Sequence, residues 1–437
     1  MFPRPVLTPC KALLAVASLA LFLTCIPIQP AGAQDSQLSM KDQRTRGLAM
    51  LKHIQRDIEE NYFDPQYHGV DIRARFAKAQ EEIKNAVSGD QIYGIIASAL
   101  LDLEDSHTFF LPPVGRYSVQ YGWDMQMIGD KCLVTSVTAH SDAERLGLKP
   151  GDEILSIFDI APTRKNLWQL DYLFRSLRPV HSMRLVTRDP LGNRHELEPA
   201  TKMTRETWDS IRNRVEQNPR SRQYIWDQGT ELFVWKMPAF NLNDLGIERM
   251  MKRVRNHRAV LLDLRNNRGG YEESLLLLVA QFFDRPVTIG ERKGRTEGKP
   301  IIAKSRGKGG FAGDLIVLVD SKTASAAEVF ARIIQLEKRG RVLGDRTAGA
   351  VMESEHFLHD YVADSFSAFR YGVSVTINDI IMADGKSLES VGVTPDETVL
   401  PKGLDLSEGR DPILFRALEI LRLSREAKNL NLTPFEP

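Results

Sequence analysis

The sequence is poor in cysteine and in net charge. It holds three cysteines in 437 residues, and only Cys132 lies beyond residue 33, so no disulfide can form within residues 34–437. Its 58 lysines and arginines nearly balance 57 aspartates and glutamates, which leaves a net charge of +1. This balance argues against nucleic acid or an anionic membrane as a partner.

Internal repeats, low-complexity tracts and a second long apolar segment are also absent from the sequence. Without disulfides, the chain must be stable by burial of apolar side chains alone. About 400 residues can supply such cores in two or three domains. We therefore expect a soluble globular protein after any leader is removed.

Residues 1–33 have the pattern of a secretory signal. Arg4 and Lys11 precede a short apolar run at 12–24, and small residues follow at 31–33. The pattern predicts a periplasmic or secreted protein that does not span the membrane after cleavage. A lipoprotein anchored at Cys25 is the weaker alternative, because a threonine stands where a smaller residue is required.

Residues 34–116 carry a helical pattern. Apolar residues recur at helical spacing in 50–62, 71–87 and 91–103, which predicts an N-terminal helical domain. The Ser106-His107 dipeptide follows, and the proline pair at 112–113 stops any further helix. A lone histidine is more often structural than catalytic, so His107 gains meaning only in combination with other residues.

Residues 117–203 have short alternating runs separated by turns, which predicts a small β domain. The segment 146–157 is similar to a signature of PDZ domains. That resemblance implies capture of an extended peptide, with its terminal carboxylate held in a loop of backbone N–H groups. The candidate for that loop is formed by Tyr121, Gly122, Trp123 and Asp124. The alternative is a β domain with only a packing role.

Strand and helix patterns alternate through residues 204–402. Apolar strands are predicted at 230–235, 259–264 and 315–319, and helices between them. Such alternation favours parallel β-α units, with ligands at the carboxyl ends of the strands. Residues 403–437 add one amphipathic helix and a tail.

Ser325 lies at the turn between the apolar strand 315–319 and an amphipathic helix over 324–336. This position exposes a hydroxyl beside the unpaired N–H groups of a helix start, which can bind an oxyanion. The simpler interpretation is an ordinary helix N-cap. Gly269 and Gly270 follow another strand, where they either let a substrate approach the backbone or form a plain turn.

Four features occur in one order along the chain. They are Asp-Ser-His-Thr at 105–108, the PDZ-like segment, Asp-Leu-Arg-Asn-Asn-Arg-Gly-Gly at 263–270, and Thr-Ala-Ser-Ala-Ala-Glu at 323–328. Together they resemble the carboxyl-terminal-processing (tail-specific) protease family and its tricorn-like relatives. The resemblance implies an α/β fold: a ClpP/crotonase-like core, an N-terminal helical cap and an inserted PDZ-like domain. It also implies that Ser325 is the nucleophile.

The general base separates two branches of that family. Ala350 stands where the serine–lysine branch has its lysine, and neither Lys322 nor Lys338 matches that motif. The tricorn-like branch uses a Ser-His dipeptide and a late glutamate, which correspond here to Ser106, His107 and Glu389. The resemblance implies His107 as the base, with Glu389 supporting it through Ser106.

The resemblance further implies an oxyanion hole from the N–H of Ala326 together with that of Gly269 or Gly270. No cofactor or metal is required. His356 and His359, with the acidic residues around them, match none of the common zinc spacings.

The predicted function is a secreted serine endopeptidase that cleaves unstructured or C-terminal protein segments. Its partners are then protein or peptide substrates. One alternative is a catalytically silent ligand- or peptide-binding protein on the same fold. Another is a protein whose main task is peptide capture by the PDZ-like domain.

Overall fold

The structure, a computed structural model, describes residues 39–113, 117–205, 223–296, 298–364, 367–422 and 433–435. The predicted leader and Cys25 lie outside these ranges. No helix in the described part of the chain is both long and apolar enough to cross a membrane.

Three helices form the N-terminal region, in agreement with the helical pattern. They are α1 (Met40–Asn61), α2 (Ile72–Lys84) and α3 (Gly89–Leu101). Each begins where a side-chain oxygen accepts a backbone N–H: Ser39 caps α1, Asp71 caps α2 and Ser88 caps α3. Their apolar faces share a buried core with Tyr371, Val373 and Val375 of a later strand. The helices are therefore packed on a β-sheet rather than standing alone.

Residues 117–205 form a β-rich unit with its own apolar core. Strand β1 (Phe109–Leu111) precedes this unit. The strands of the unit are β2 (Tyr117–Gln120), β3 (Trp123–Ile128), β4 (Lys131–Val137), β5 (Glu153–Ile157), β6 (Leu185–Arg188), β7 (Arg194–Leu197) and β8 (Lys202–Arg205). Two α-helices, α4 (Asp142–Arg145) and α5 (Leu167–Tyr172), lie between them, and α5 continues into a π-helical turn at Leu173–Leu177. Strands β3 to β7 pair in chain order as one antiparallel sheet, and β2 pairs with β8. The PDZ interpretation of this unit stays a prediction.

The α/β region is built on a sheet of seven described strands. These are β9 (Gln223–Gln228), β10 (Leu232–Lys236), β11 (Ala259–Asp263), β14 (Asp314–Val319), β15 (Arg341–Gly344), β18 (Glu397–Thr398) and β19 (Thr433–Phe435). Their order is β18-β15-β14-β11-β10-β9-β19, and β10, β11, β14, β15 and β18 run parallel. All five residues of β11 are buried, as expected for a central parallel strand covered on both faces.

Helices cover both faces of this sheet. One core contains apolar residues of α6 (Asp244–Val254), α7 (Glu272–Val279) and α8 (Ala326–Leu336). The opposite face packs against α10 (Pro412–Ile420), which follows the short α9 (Gly403–Ser407). The predicted α/β class is confirmed. The carboxyl ends of β11 and β14 lead directly into the glycine turn and the Ser325 turn.

A second sheet joins the helical region to the α/β region. It contains β12 (Val287–Gly294), β13 (Pro300–Ala303) and a long hairpin of β16 (Met352–Asp364) and β17 (Ser367–Met382). Strand β1 pairs antiparallel with β17, with Phe110 opposite Val373. The loop that carries His107 is thus attached to this sheet immediately after the histidine.

Candidate active site

Ser325 occupies a strained backbone conformation at the start of α8. Its φ of 57° and ψ of −127° are unfavourable for a residue with a side chain. The turn is held by Thr323, whose hydroxyl donates to the Leu264 carbonyl at 2.9 Å, and by the N–H of Ala324, which donates to the Asn267 carbonyl at 2.9 Å. Strain maintained by the surrounding contacts is typical of functional sites and is unnecessary for a simple cap.

The glycine turn after β11 lies directly against Ser325. A β-carbon built on Gly269 would lie 2.6 Å from the Cβ of Ser325 and 2.9 Å from the nitrogen of Ala326. Gly269 also has a φ of 88°, a conformation that favours glycine. Glycine at this position is therefore required both by the close approach and by the backbone conformation.

The predicted oxyanion donors differ in their availability. The N–H of Gly269 donates to Asn267 Oδ1 at 2.8 Å and is already engaged. Among the described residues, the N–H groups of Gly270 and Ala326 have no acceptor. Gly270 and Ala326 are therefore the pair that can receive an oxyanion. The sequence alone leaves the choice between the two glycines open and does not indicate the role of Asn267, which is fully buried.

Asp105 shapes the loop that carries His107. Its Oδ1 accepts hydrogen bonds from the N–H of His107 at 2.9 Å, the N–H of Thr108 at 2.6 Å and the hydroxyl of Thr376 at 2.8 Å. Thr376 belongs to β17, so Asp105 joins the histidine loop to the second sheet. This role of Asp105 was not predicted, although an aspartate whose side chain accepts from the backbone N–H groups two and three residues later is a common turn pattern.

Ser106, His107 and Glu389 form one hydrogen-bonded group. The Ser106 hydroxyl donates to Glu389 Oε2 at 3.0 Å, and the Ser106 N–H donates to Glu389 Oε1 at 2.9 Å. His107 Nδ1 lies 2.6 Å from the Ser106 oxygen. Because Ser106 gives its only hydroxyl proton to Glu389, we assign the Nδ1–H tautomer to His107. The lone pair is then on Nε2, as a general base requires.

Burial alters the pKa values of both titratable members of this group. It lowers the pKa of His107 from its ordinary value, with a contribution from His356, and the charge of Asp105 only partly opposes the shift. It raises the pKa of Glu389, against the effect of the donors from Val351 and Ser106. At neutral pH the imidazole is therefore predominantly neutral and able to accept a proton.

The serine half and the histidine half meet at the Ala350–Val351 peptide. The Ser325 N–H donates to the Ala350 carbonyl at 2.8 Å, and the Val351 N–H donates to Glu389 Oε2 at 2.8 Å. Among the described residues, no hydrogen bond joins the Ser325 hydroxyl to the His107 ring. One peptide unit thus links Ser325, the candidate nucleophile, to Glu389, the carboxylate that supports His107 through Ser106.

A cavity of about 670 Å³ lies next to this group. Asp105, Met352, Glu389 and Ser390 contribute to its lining, whereas Ser325 and His107 do not. We therefore do not assign this cavity to the substrate.

The predicted carboxylate-binding loop at 121–124 is closed in this structure. Tyr121 and Trp123 are buried, and the Tyr121 hydroxyl donates to the Phe174 carbonyl. Asp124 pairs with Arg175 at 3.1 Å. The cavity beneath the loop holds only about 10 Å³, which is no more than the space of one water molecule. Gly122 accepts from Thr138 and Ser141 through its carbonyl.

The other ionisable candidates lie in different surroundings. Burial lowers the pKa of Lys322, whose amine lies among Asp124, Arg268, Asp320 and Asp171. His359 bonds Asp57 at 2.6 Å, across to helix α1. In the described ranges, no three histidine, cysteine, aspartate or glutamate side chains are placed to hold a metal ion.

Comparison with known proteins identifies the α/β region. The family model described as Peptidase family S41 matches residues 234–399. Residues 234–399 belong to peptidase family S41. This S41 domain contains the glycine turn, Ser325 and Glu389, whereas Ser106 and His107 precede it. The predicted family is confirmed, and the match supports the predicted enzyme class of serine peptidase.

Curated relatives of the S41 domain extend the match over most of the chain. Carboxyl-terminal-processing peptidase 1 of Arabidopsis thaliana, a chloroplast protein, is 25% identical over 339 residues, which cover 74% of this chain and 65% of the relative. The tail-specific protease of Haemophilus influenzae is 24% identical over 73% of this chain and 47% of its own length. The chain therefore matches about half to two thirds of the length of these relatives.

A solved structure shows a similar fold over nearly the whole chain. The structure of mature CPAF complexed with lactacystin covers 87% of this chain and 98% of its own, with a TM-score of 0.63 and 15% sequence identity. The similarity in fold therefore extends well beyond the S41 domain at 234–399.

Proposed function

We propose that this protein is a secreted or periplasmic serine endopeptidase that cleaves unstructured or C-terminal protein segments. The observation that carries the proposal is the strained Ser325 turn, beside the unengaged N–H groups of Gly270 and Ala326. The S41 match supports a serine peptidase. The substrate class rests on the names of the relatives, which describe carboxyl-terminal processing and tail specificity.

The mechanism assigns one role to each group. Ser325 Oγ attacks the carbonyl carbon of the scissile bond while its proton passes to His107 Nε2. The N–H groups of Gly270 and Ala326 stabilise the oxyanion, and each such donor is worth about 3 kcal/mol of barrier. His107 then gives the proton to the leaving amine, and a water molecule activated by the same imidazole hydrolyses the acyl-enzyme.

The absence of a hydrogen bond between Ser325 and His107 places a condition on this mechanism. Catalytic hydrogen bonds are often long in unliganded enzymes and shorten in the substrate complex. The proposal requires that the two side chains meet when a substrate occupies the site. Glu389 and Ser106 maintain the imidazole tautomer in the meantime.

The test compares wild-type protein with Ser325→Ala on a permanently unfolded protein substrate. We expect the variant to lose cleavage and to lose labelling by a fluorophosphonate. Ser136→Ala, a change at an exposed serine of β4, is the matched control and should behave as wild type. Undiminished cleavage by Ser325→Ala would contradict the serine mechanism.

The same experiment separates the peptidase from a silent binding protein. A wild-type protein that binds peptides but neither cleaves them nor reacts with fluorophosphonate would support the silent alternative. Cell fractionation tests the proposed location: retention of the full-length chain in the cytoplasm would contradict it.

A further inference from the structure

Glu328 is a buried carboxylate surrounded by four hydrogen-bond donors. It lies in the first turn of α8 with no solvent exposure. Oε1 accepts from the Thr347 hydroxyl at 2.5 Å and from the Gly349 N–H at 2.8 Å. Oε2 accepts from the Ala350 N–H at 2.9 Å and from the Ser325 N–H at 3.1 Å. Each oxygen thus receives two hydrogen bonds, which is the capacity of a carboxylate.

A simple helix-capping role explains only one of these contacts. In a capping box, a glutamate three residues into the helix accepts from the N–H of the N-cap, here Ser325. The other three donors come from residues 347–350, a separate segment after β15. Glu328 therefore connects the serine turn to that segment, beyond what stability of the helix end requires.

The connected segment leads to the histidine half of the site. The Ala350 carbonyl accepts the Ser325 N–H at 2.8 Å, and the next residue, Val351, donates to Glu389 at 2.8 Å. Glu389 in turn accepts from the backbone and the hydroxyl of Ser106. A displacement of residues 349–351 would therefore change the Ser325 backbone and the support of His107 together.

We propose that Glu328 is a positioning residue. Through residues 347–351 it fixes the position of the candidate nucleophile, Ser325, relative to the candidate base, His107. The inference rests on the proposed function. Glu328 does not touch the substrate in this arrangement; it acts through the Ser325 backbone and through the segment that supports Glu389.

The chemistry of the site requires a carboxylate. A glutamine has one carbonyl oxygen, so its amide group would face two of the four donors, and two hydrogen bonds would be lost. The partners of Glu328 are all neutral, and the next titratable group in the network is Glu389. Burial raises the pKa of Glu328 to about 7, so the protonated form, with one acceptor replaced by a donor, becomes populated near neutrality.

The experiment measures kcat and KM of Glu328→Gln on an unfolded protein substrate. We expect kcat to fall about 10²-fold, the effect of misplacing a reacting group by about 1 Å, while KM stays within about two-fold. The rate of fluorophosphonate labelling should fall in parallel. Glu337→Gln, at the other end of the same helix and paired with Arg285, is the matched control and should leave all three quantities unchanged.

The outcomes separate this inference from the proposed function. If wild-type protein neither cleaves nor reacts with fluorophosphonate, the proposed function fails. If wild-type protein is active and Glu328→Gln keeps the wild-type kcat, only the role of Glu328 is overturned.

A second variant decides the case in which Glu328→Gln does not fold. Thr347→Val removes one donor to Glu328 and keeps the side-chain shape. Thr347 also accepts from the Val393 N–H at 2.6 Å, so its folding is checked by circular dichroism. A folded Thr347→Val with wild-type kcat and labelling rate would overturn the proposal; a kcat lowered about 10-fold at unchanged KM would support it.

Discussion

The two halves of the candidate site differ in how far apart their residues lie in the chain. Gly270 and Ser325 follow neighbouring parallel strands of one sheet, so their proximity results directly from the sheet order. Ser106 and Glu389 are 283 positions apart, and they come from a loop after the helical region and a loop after the hairpin. The serine half is thus built into one layer, whereas the histidine half exists only when several layers are assembled.

This difference indicates where the site is sensitive to perturbation. The serine turn has strain that the surrounding contacts maintain. The His107 backbone is held by Asp105, while its ring is oriented through Ser106 by Glu389, whose charge is disfavoured by burial. Since the Ala350–Val351 peptide joins the halves, changes on one side should affect the other. The predictions below test this comparison, in order of decreasing effect.

The largest effect is expected from His107→Ala. Loss of the general base should lower kcat/KM about 10³-fold, within the range that such groups contribute. His181→Ala, at an exposed histidine of the β-rich unit, is the control. Steady-state kinetics on an unfolded protein give the comparison. Normal activity of His107→Ala would show that another group deprotonates Ser325.

A double-mutant cycle tests the coupling of the two halves. We expect Glu389→Gln to lower kcat about 10²-fold, because one amide oxygen cannot replace both carboxylate oxygens: either the Ser106 N–H, or the Ser106 hydroxyl and the Val351 N–H, would face the amide NH2 group. If the halves act through one peptide unit, the combination with Glu328→Gln should cost much less than the product of the single effects. If the loss of kcat in the double variant equals the product of the two single losses, the two carboxylates are not energetically coupled.

The pH profile should separate the protonation of Glu328 from that of His107. Activity of the wild type should fall as the pH drops through about 7, because Glu328 takes up a proton. In Glu328→Gln the remaining fall of activity in acid should lie below pH 6.5. Protonation of His107 removes the base, and burial lowers the pKa of His107 from that ordinary value. Burial also raises the pKa of Glu389, which supports His107 through Ser106, so protonation of Glu389 adds to the acid limb of both proteins. Identical profiles for the two proteins would contradict the assignment.

The smallest effect is expected from Lys322→Met. The Lys322 amine interacts with Asp124 of the β-rich unit and with Asp320 and Arg268 of the S41 domain, and among the described residues no hydrogen bond joins it to Ser325. We expect kcat/KM to stay within about two-fold, since a group away from the reacting atoms contributes little. A loss comparable to that of His107→Ala would instead identify the lysine as the base.

The sequence allowed prediction of the parts that depend on local patterns. The strand before Ser325 and the helix after it follow from apolar spacing, and their observed bounds differ from the predicted ones by a few residues. The prolines at 112–113 indicated a break, yet β1 forms just before them by pairing with β17. Strand β16 was missed because polar and charged residues interrupt its apolar pattern; Glu355, His356 and Asp360 are exposed, whereas His359 bonds Asp57 of α1.

Two features of the site depend on tertiary contacts and could not be read from spacing. Gly269 and Gly270 are equivalent in sequence, and only the buried Asn267 side chain determines which N–H is engaged. Ser325 and Glu328 have the spacing of an ordinary capping box, so nothing in the sequence indicates that Glu328 also binds residues 347–350.

The three-residue pairing of β1 with the hairpin should allow the preceding helices to be replaced without displacing His107. The pairing fixes the position of the His107 imidazole relative to the sheet and not relative to the helices that precede it. A chimera with a foreign helical bundle in place of residues 40–101 could therefore retain the register of the imidazole, provided that the graft covers the apolar face around Tyr371.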